Sequence, residues 1–205
     1  MIRAVCWDFG GVISSSPFDA FAAYERELDL PAGFVRSINA TNPDTNAWSK
    51  LERSEVTLDE FCDLFEAEAK AAGAELDARM IITLLSGEIR PQMVEAVRRC
   101  TERLKTALLT NNFIAVEPQA GGAAELFDLF HVVVESSKAG VRKPDPRFYE
   151  LALEQLEVEP HETVFLDDLG INLKPARALG MQTIKVTDPD RALDELEDMV
   201  GFRLR

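Results

Sequence analysis

Short apolar runs alternate with amphipathic stretches over the second half of the chain. Residues 106–110, 131–134, 163–166 and 182–186 form mostly apolar segments that end at polar residues or turns. Stretches of helical period start at residue 91, near residue 117, at residue 145, after residue 168 and at residue 188. This alternation is typical of a parallel sheet covered by helices on both faces, so it predicts an α/β fold.

The first strand is separated from the others. Residues 2–7 are apolar except for Arg3 and run into Asp8-Phe9-Gly10-Gly11, which predicts a buried strand followed by a tight turn. Residues 18–87 have mainly helical patterning, with a capping box at Thr57 and Glu60. We therefore expect a core of residues 1–15 and 88–205, with a small helical cap of residues 16–87 inserted after the first strand.

Polar residues follow several of the predicted strands. Asp8, Thr110 and the pair Asp167-Asp168 occupy these positions. The carboxyl ends of parallel strands share one edge of a sheet, where ligands bind. An Asp-Asp pair alone would be a solvated turn, but three carboxylates at one edge repel one another unless a cation neutralises them. Mg²⁺ suits such ligands, so we predict a Mg²⁺ site of Asp8, Asp167 and Asp168.

Two further segments offer groups that can bind an anion. Lys143 lies between a glycine and two prolines, which restrict the backbone, so it is either an ordinary loop lysine or a cation held against a phosphate. Thr110 and Asn111 offer a hydroxyl and a backbone or side-chain amide, although taken alone they are typical turn-forming residues at a strand end. The histidines, His131 and His161, flank strands and are predicted to be structural.

Composition limits the partners. The net charge of −14 disfavours nucleic acid and anionic membranes, but a small anion can still bind where a cation reverses the local charge. Three widely spaced cysteines disfavour a disulfide framework or a zinc knuckle. The first eight residues lack signal-peptide character, and no apolar run could span a membrane. These features predict a cytoplasmic protein; its oligomeric state is left open.

Four motifs in this order resemble those of the haloacid dehalogenase superfamily. They are Asp8, Thr110, Lys143 and the pair Asp167-Asp168. The resemblance covers nearly the whole chain, including the helical insert, and implies a Rossmann-like three-layer core with a cap. Residues 108–113, 140–146 and 165–181 are most similar to the group that includes the N-terminal phosphatase-like domains of soluble epoxide hydrolase and of certain acyl-CoA dehydrogenases. The resemblance implies a hydrolase acting on a small phosphorylated molecule.

The resemblance also implies a role for each motif residue. Asp8 would attack phosphorus and form a phospho-aspartate. Thr110 would bind the transferring phosphoryl group with help from the Asn111 amide, and Lys143 would neutralise its charge. Asp168 would bind Mg²⁺ directly, Asp167 directly or through water, and Gly10 through its carbonyl oxygen. Asn172 would support the acidic pair.

Gly10 departs from the family pattern. Phosphatases of the superfamily usually carry a second aspartate two residues after the nucleophile, which protonates the leaving group and then activates water. At Gly10 this acid side chain is missing. A need for positive φ in the turn is one reason for a glycine at this position. Three interpretations follow: a Mg²⁺-dependent phosphatase that is slow or uses another proton donor, a 2-haloacid dehalogenase, or a non-catalytic domain that binds a phosphorylated ligand or a partner.

Overall fold

A parallel sheet of five strands lies at the centre of the computed structural model, which describes residues 1–113 and 123–205. The strands are β1 (Ala4–Trp7), β2 (Lys105–Thr110), β3 (Val132–Glu135), β4 (Thr163–Asp167) and β5 (Gln182–Lys185). Their order is β3-β2-β1-β4-β5, and every neighbouring pair is parallel. The α/β prediction is confirmed, with strand ends displaced by one or two residues.

Helices fill the remaining parts of the predicted pattern. In chain order they are α1 (Phe18–Glu27), α2 (Phe34–Ala40), α3 (Ala47–Glu52), α4 (Leu58–Ala71), α5 (Ala78–Thr83), α6 (Pro91–Thr101), α7 (Ala123–Phe127), α8 (Ser136–Ala139), α9 (Pro146–Leu156), α10 (Gly170–Ala178) and α11 (Pro189–Val200). The helix predicted near residues 117–126 falls partly outside the described residues, and α7 lies at its end. In the part of the chain that the structure describes, none of these helices has the length and apolar character needed to cross a membrane.

The core has three layers because side chains of the buried strands alternate between the two faces of the sheet. Val5 and Trp7 of β1 pack on one face with α6 and α11. Ala4 and Cys6 pack on the other face with α9 and α10. Both faces of β1 are therefore buried, which explains its continuous apolar sequence.

Helices α1–α5, which lie between β1 and α6, enclose an apolar cluster of their own. Trp48 packs against Phe61 and Phe65, with ring centroids 5.0 and 6.2 Å apart. The predicted capping box of Thr57 and Glu60 is present at the start of α4. A separate cluster of this kind supports the predicted division into a core and a helical cap, which stays a prediction.

The sheet register brings distant residues to one level. Trp7 pairs with Leu108 of β2 and with Leu166 of β4. The next residues, Asp8 and Asp167, therefore leave adjacent strands side by side. Asp8 is fixed further by its backbone N–H, which donates to the Leu166 carbonyl at 2.9 Å.

Candidate active site

Asp8 stands at the carboxyl end of the central strand and is nearly buried. Its Oδ1 accepts a hydrogen bond from the Phe9 backbone N–H at 2.7 Å and lies 2.7 Å from the Lys143 Nζ. Burial raises the pKa of Asp8 well above its ordinary range, and the charges of Asp167 and Asp168 add to the effect while Lys143 opposes it. The contacts hold one carboxylate oxygen in a fixed position.

The turn after Asp8 gives its two glycines different roles. Gly11 has φ +75°, and a Cβ built there would lie 2.3 Å from Asp168 Oδ2. Glycine at position 11 is thus required both by the backbone and by the approach of Asp168. Gly10 has φ −66° and ψ 132°, and a Cβ there would meet no atom within 4 Å. The structure rules out a positive φ at Gly10, so the local backbone and packing leave room for a side chain.

Asp167 is fully buried, and both of its carboxylate oxygens are occupied. Oδ1 accepts from the Leu169 backbone N–H at 2.8 Å, and Oδ2 lies 2.9 Å from the Lys143 Nζ. Asn172 Nδ2 reaches the two oxygens at 3.1 and 3.0 Å. These contacts leave Asp167 better suited to holding Lys143 than to giving up an oxygen to a metal.

Asp168 is less confined than its neighbour. Burial raises the pKa of Asp168 to about 6, and repulsion by Asp167 contributes, while Lys143 and Arg90 oppose the rise. Its carboxylate faces the Gly11 backbone across the turn. Of the acidic pair, Asp168 therefore has the freer oxygens.

Lys143 is only 1% exposed and bridges the carboxylates of two strands, Asp8 and Asp167. Burial lowers its pKa, but the attraction of Asp167 and Asp8 outweighs this, so the pKa of Lys143 is raised and the side chain stays charged. A buried lysine needs such paired contacts. The structure therefore favours the held cation over the ordinary loop lysine.

Asn111 fixes the loop that carries Lys143. Its Oδ1 accepts from the Lys143 backbone N–H at 2.9 Å, and its Nδ2 donates to the Lys143 carbonyl at 3.0 Å. The side-chain amide is thus engaged in holding the loop. A role for Asn111 in binding a substrate stays a prediction, and it would fall to the backbone N–H. Thr110 ends β2, nearly buried, in the strand next to β1.

The three carboxylates are close enough to share one cation. Asp8, Asp167 and Asp168 each offer an oxygen, and these oxygens lie within 4.8 Å of one another. When all are ionised, three carboxylates against one lysine leave two negative charges in a largely buried place, which a divalent cation would neutralise. The residues fit Mg²⁺. A role for the Gly10 carbonyl as a ligand stays a prediction.

The histidines and cysteines singled out in the sequence are not part of the carboxylate cluster. His131 Nδ1 accepts from the Thr106 backbone N–H at 3.1 Å, at the start of β2, which agrees with a structural role. All three cysteines, Cys6, Cys62 and Cys100, are free and buried. Sequence reasoning missed Glu52 and Arg142, whose side chains meet beside Asn111.

A parallel sheet with a lysine and three carboxylates at its carboxyl edge places the chain in the class of α/β proteins that bind their ligands at the ends of the strands. The chain belongs to the haloacid dehalogenase-like hydrolase family, whose model matches residues 2–180. The predicted family and the prediction of a hydrolase are thereby confirmed.

Three curated relatives align with almost the whole chain. Mouse (Mus musculus) acyl-CoA dehydrogenase family member 10 is 36% identical over 98% of this chain and 19% of its own length. Pig (Sus scrofa) bifunctional epoxide hydrolase 2 is 33% identical over 99% of this chain and 40% of its own length. The sesquiterpene phosphatase astK of Aspergillus oryzae is 29% identical, with 97% of both chains covered. The chain thus spans less than half of the first two proteins.

Solved structures share the fold. A family enzyme from Bacteroides thetaiotaomicron, in complex with magnesium and inorganic phosphate, has a TM-score of 0.62 at 20% identity, with 90% of this chain and 94% of that chain covered. L-2-haloacid dehalogenase from Xanthobacter autotrophicus has a TM-score of 0.60 at 19% identity, with 100% and 85% covered. The magnesium-binding enzyme and the dehalogenase share this fold, so the fold alone does not indicate the reaction, which must be inferred from the site residues.

Proposed function

We propose that the chain is a Mg²⁺-dependent phosphatase that acts on a small phosphorylated molecule through a phospho-aspartate on Asp8. The observation that carries the proposal is the cluster of Asp8, Asp167 and Asp168 around the buried Lys143. A dehalogenase has no need of a metal, whereas this cluster has a surplus of negative charge that calls for one. The alignment with a sesquiterpene phosphatase along the full chain supports the same choice.

The reaction divides into two displacements on phosphorus. A carboxylate oxygen of Asp8 attacks the phosphorus, and the bond to the leaving oxygen breaks. Water then attacks the phospho-aspartate, which releases inorganic phosphate and restores Asp8. Thr110 and the backbone N–H of Asn111 would bind the phosphoryl oxygens, and Lys143 would offset their charge. Bound Mg²⁺, held by Asp8 and Asp168, would neutralise further charge on the phosphoryl group.

Asp167 has a positioning role in this proposal. Its two oxygens hold Lys143 and Asn172, so it would contact Mg²⁺ through water. The Phe9 and Lys143 contacts of Asp8 both fall on Oδ1, so its other oxygen is available for attack on phosphorus.

Because residue 10 carries no acidic side chain, the rate of phosphate release should depend on the leaving group of the substrate. Acyl and aryl phosphates leave with little help from a proton, whereas an alkoxide leaving group needs protonation. We therefore propose that turnover is fastest for activated phosphates, and that water or a substrate group supplies the proton for others. The cytoplasmic location stays a prediction.

The test is phosphate release from a panel that includes acetyl phosphate, p-nitrophenyl phosphate, sugar phosphates and an isoprenoid phosphate. We expect release by the native protein with Mg²⁺, none with EDTA, and recovery when Mg²⁺ is restored. Asp168→Asn should lose most of the Mg²⁺-dependent release because it removes the freer metal ligand. The same variant should also lose most of the rise in melting temperature that Mg²⁺ gives the native protein.

The panel also separates the alternatives. Halide release from 2-chloropropionate in EDTA, without phosphate release from any ester, would identify a dehalogenase. Binding of phosphorylated compounds without turnover of any of them would identify a non-catalytic domain. Either result would overturn the proposed phosphatase.

A further inference from the structure

The last residue of α3 reaches from the cap to the catalytic edge of the core. The Glu52 Oε2 lies 2.5 Å from the Arg142 Nε and 3.3 Å from the Asn111 Nδ2. The Glu52 and Arg142 side chains are 16% and 22% exposed, so their opposite charges meet largely out of water. Pairs of this kind interact more strongly than surface pairs.

Two further hydrogen bonds join the cap to the core, one at a residue before Glu52 in the sequence and one at a residue after it. Arg142 Nη1 donates to the Pro43 carbonyl at 3.0 Å, and Ser54 Oγ donates to the Ser137 carbonyl at 2.9 Å. The guanidinium of Arg142 thus contacts the cap before and within α3, and Ser54 contacts the core just after it. Glu52 supplies the only charge among these three cap partners, so it dominates the attraction between the two surfaces.

Both core partners of Glu52 bear directly on Lys143. Arg142 is the residue before it in the chain. Asn111 clamps the Lys143 backbone through its Oδ1 and Nδ2, and the same Nδ2 reaches Glu52. One carboxylate from the cap therefore contacts both the residue before Lys143 and the side chain that clamps the Lys143 backbone. The position of the Lys143 Nζ, 2.7 Å from Asp8, depends on that backbone.

We propose that Glu52 is a positioning residue that couples the seating of the cap to the placement of Lys143 against Asp8. This inference rests on the proposed phosphatase function for its effect on rate. With the cap seated, the Glu52 carboxylate fixes Arg142 and Asn111, and Lys143 meets Asp8 and the phosphoryl oxygens. With the pair broken, Arg142 and Asn111 lose a shared anchor and Lys143 is held less closely.

The test compares Glu52→Gln with the native protein on p-nitrophenyl phosphate. Glutamine keeps the size of the side chain and an acceptor for Asn111 but removes the charge that attracts Arg142. We expect kcat to fall by about tenfold to 10²-fold, since small misplacements of a catalytic group have effects of this size. KM should change by less than about twofold, because ground-state contacts with the phosphate remain. Glu52→Asp, which keeps the charge on a shorter side chain, should retain more of the rate than Glu52→Gln.

A second measurement does not depend on turnover. The Lys143 backbone N–H donates to Asn111, so its hydrogen exchange reports on the clamp. We expect this exchange to be several-fold faster in Glu52→Gln than in the native protein. The matched control is Glu55→Gln, which removes an exposed cap carboxylate paired with Arg53 within the cap itself. It should leave kcat and the Lys143 exchange unchanged.

Two results would overturn the proposal. If Glu52→Gln matched Glu55→Gln in both kcat and Lys143 exchange, Glu52 would have no positioning role. A rise in KM at unchanged kcat and unchanged exchange would make Glu52 a substrate contact instead. If the native protein turned over none of the phosphates, the proposed function would fail, and the exchange measurement alone would decide whether Glu52 holds the Lys143 loop.

Discussion

Asp8→Asn should abolish Mg²⁺-dependent phosphate release. Asparagine has nearly the same shape, but its amide cannot attack phosphorus as a carboxylate oxygen does. We expect kcat to fall by roughly 10⁴ or more, as is common when the nucleophile of a group of residues acting together is removed. The folded state should persist, because Lys143 keeps its 2.9 Å contact with Asp167 and one buried negative charge is lost.

The control for Asp8→Asn is Asp77→Asn. Asp77 caps α5 by accepting from the Arg79 and Met80 backbone N–H groups, and asparagine is an equally good cap. This variant makes the same chemical change at an exposed helix cap, so its kcat and melting temperature should match those of the native protein. Full turnover by Asp8→Asn would assign the nucleophile to another group and remove the basis of the proposed mechanism.

Gly10→Asp should increase turnover of alkyl phosphates. The backbone at residue 10 has a negative φ, and a Cβ there would meet no atom within 4 Å, so the backbone and the Cβ position accept a side chain. A positioned acid/base contributes about 10²–10⁴ in rate, or roughly 3–5 kcal/mol in the barrier. Alkyl phosphates should gain most of this, and acyl and aryl phosphates little, which narrows the difference between the two classes of substrate.

Gly10→Asn is the matched control for Gly10→Asp. It adds a side chain of the same size that cannot transfer a proton, so it should leave the preference for activated phosphates unchanged. The melting temperatures of the two variants in Mg²⁺ show whether both are folded. A folded Gly10→Asp that gains no more than Gly10→Asn on alkyl phosphates would mean that another group already supplies the proton.

The local pattern of apolar and polar residues was sufficient to predict the strands and the polar site residues that follow them. Val164-Phe165-Leu166 is apolar on both faces of the sheet, so its buried position follows from composition alone. The same holds for β1, and the convergence of Asp8 with Asp167 and Asp168 follows from the shared edge of a parallel sheet. Both predictions need only the sequence of short segments and the general rule that the carboxyl ends of parallel strands share one edge of the sheet.

The contacts between segments could not be predicted in the same way. The sequence Gly10-Gly11 does not indicate which glycine has the positive φ, because that depends on the approach of Asp168 from another strand. The use of the Asn111 side chain as a clamp depends on the path of the Lys143 loop. The pairing of Glu52 with Arg142 depends on how the helical insert lies against the core.

The surroundings of Trp48 could not be predicted from the neighbouring sequence either. A tryptophan in the polar segment of residues 39–48 could line the substrate cleft, but Trp48 packs inside the cap with Phe61 and Phe65 and is only 7% exposed. A large aromatic side chain that can be buried in an apolar cluster is stabilised there. A charged residue from this region, Glu52, reaches the core four residues further along the chain.

The most direct test of the central claim is detection of the phospho-aspartate itself. The native protein is mixed with p-nitrophenyl phosphate and Mg²⁺, quenched in acid during turnover, digested and examined by mass spectrometry. We predict a peptide that carries one phosphoryl group on Asp8, absent in EDTA and absent in Asp8→Asn. Steady release of phosphate without any phosphorylated Asp8, at times when several enzyme turnovers have occurred and the release step is shown to be slow, would contradict the account.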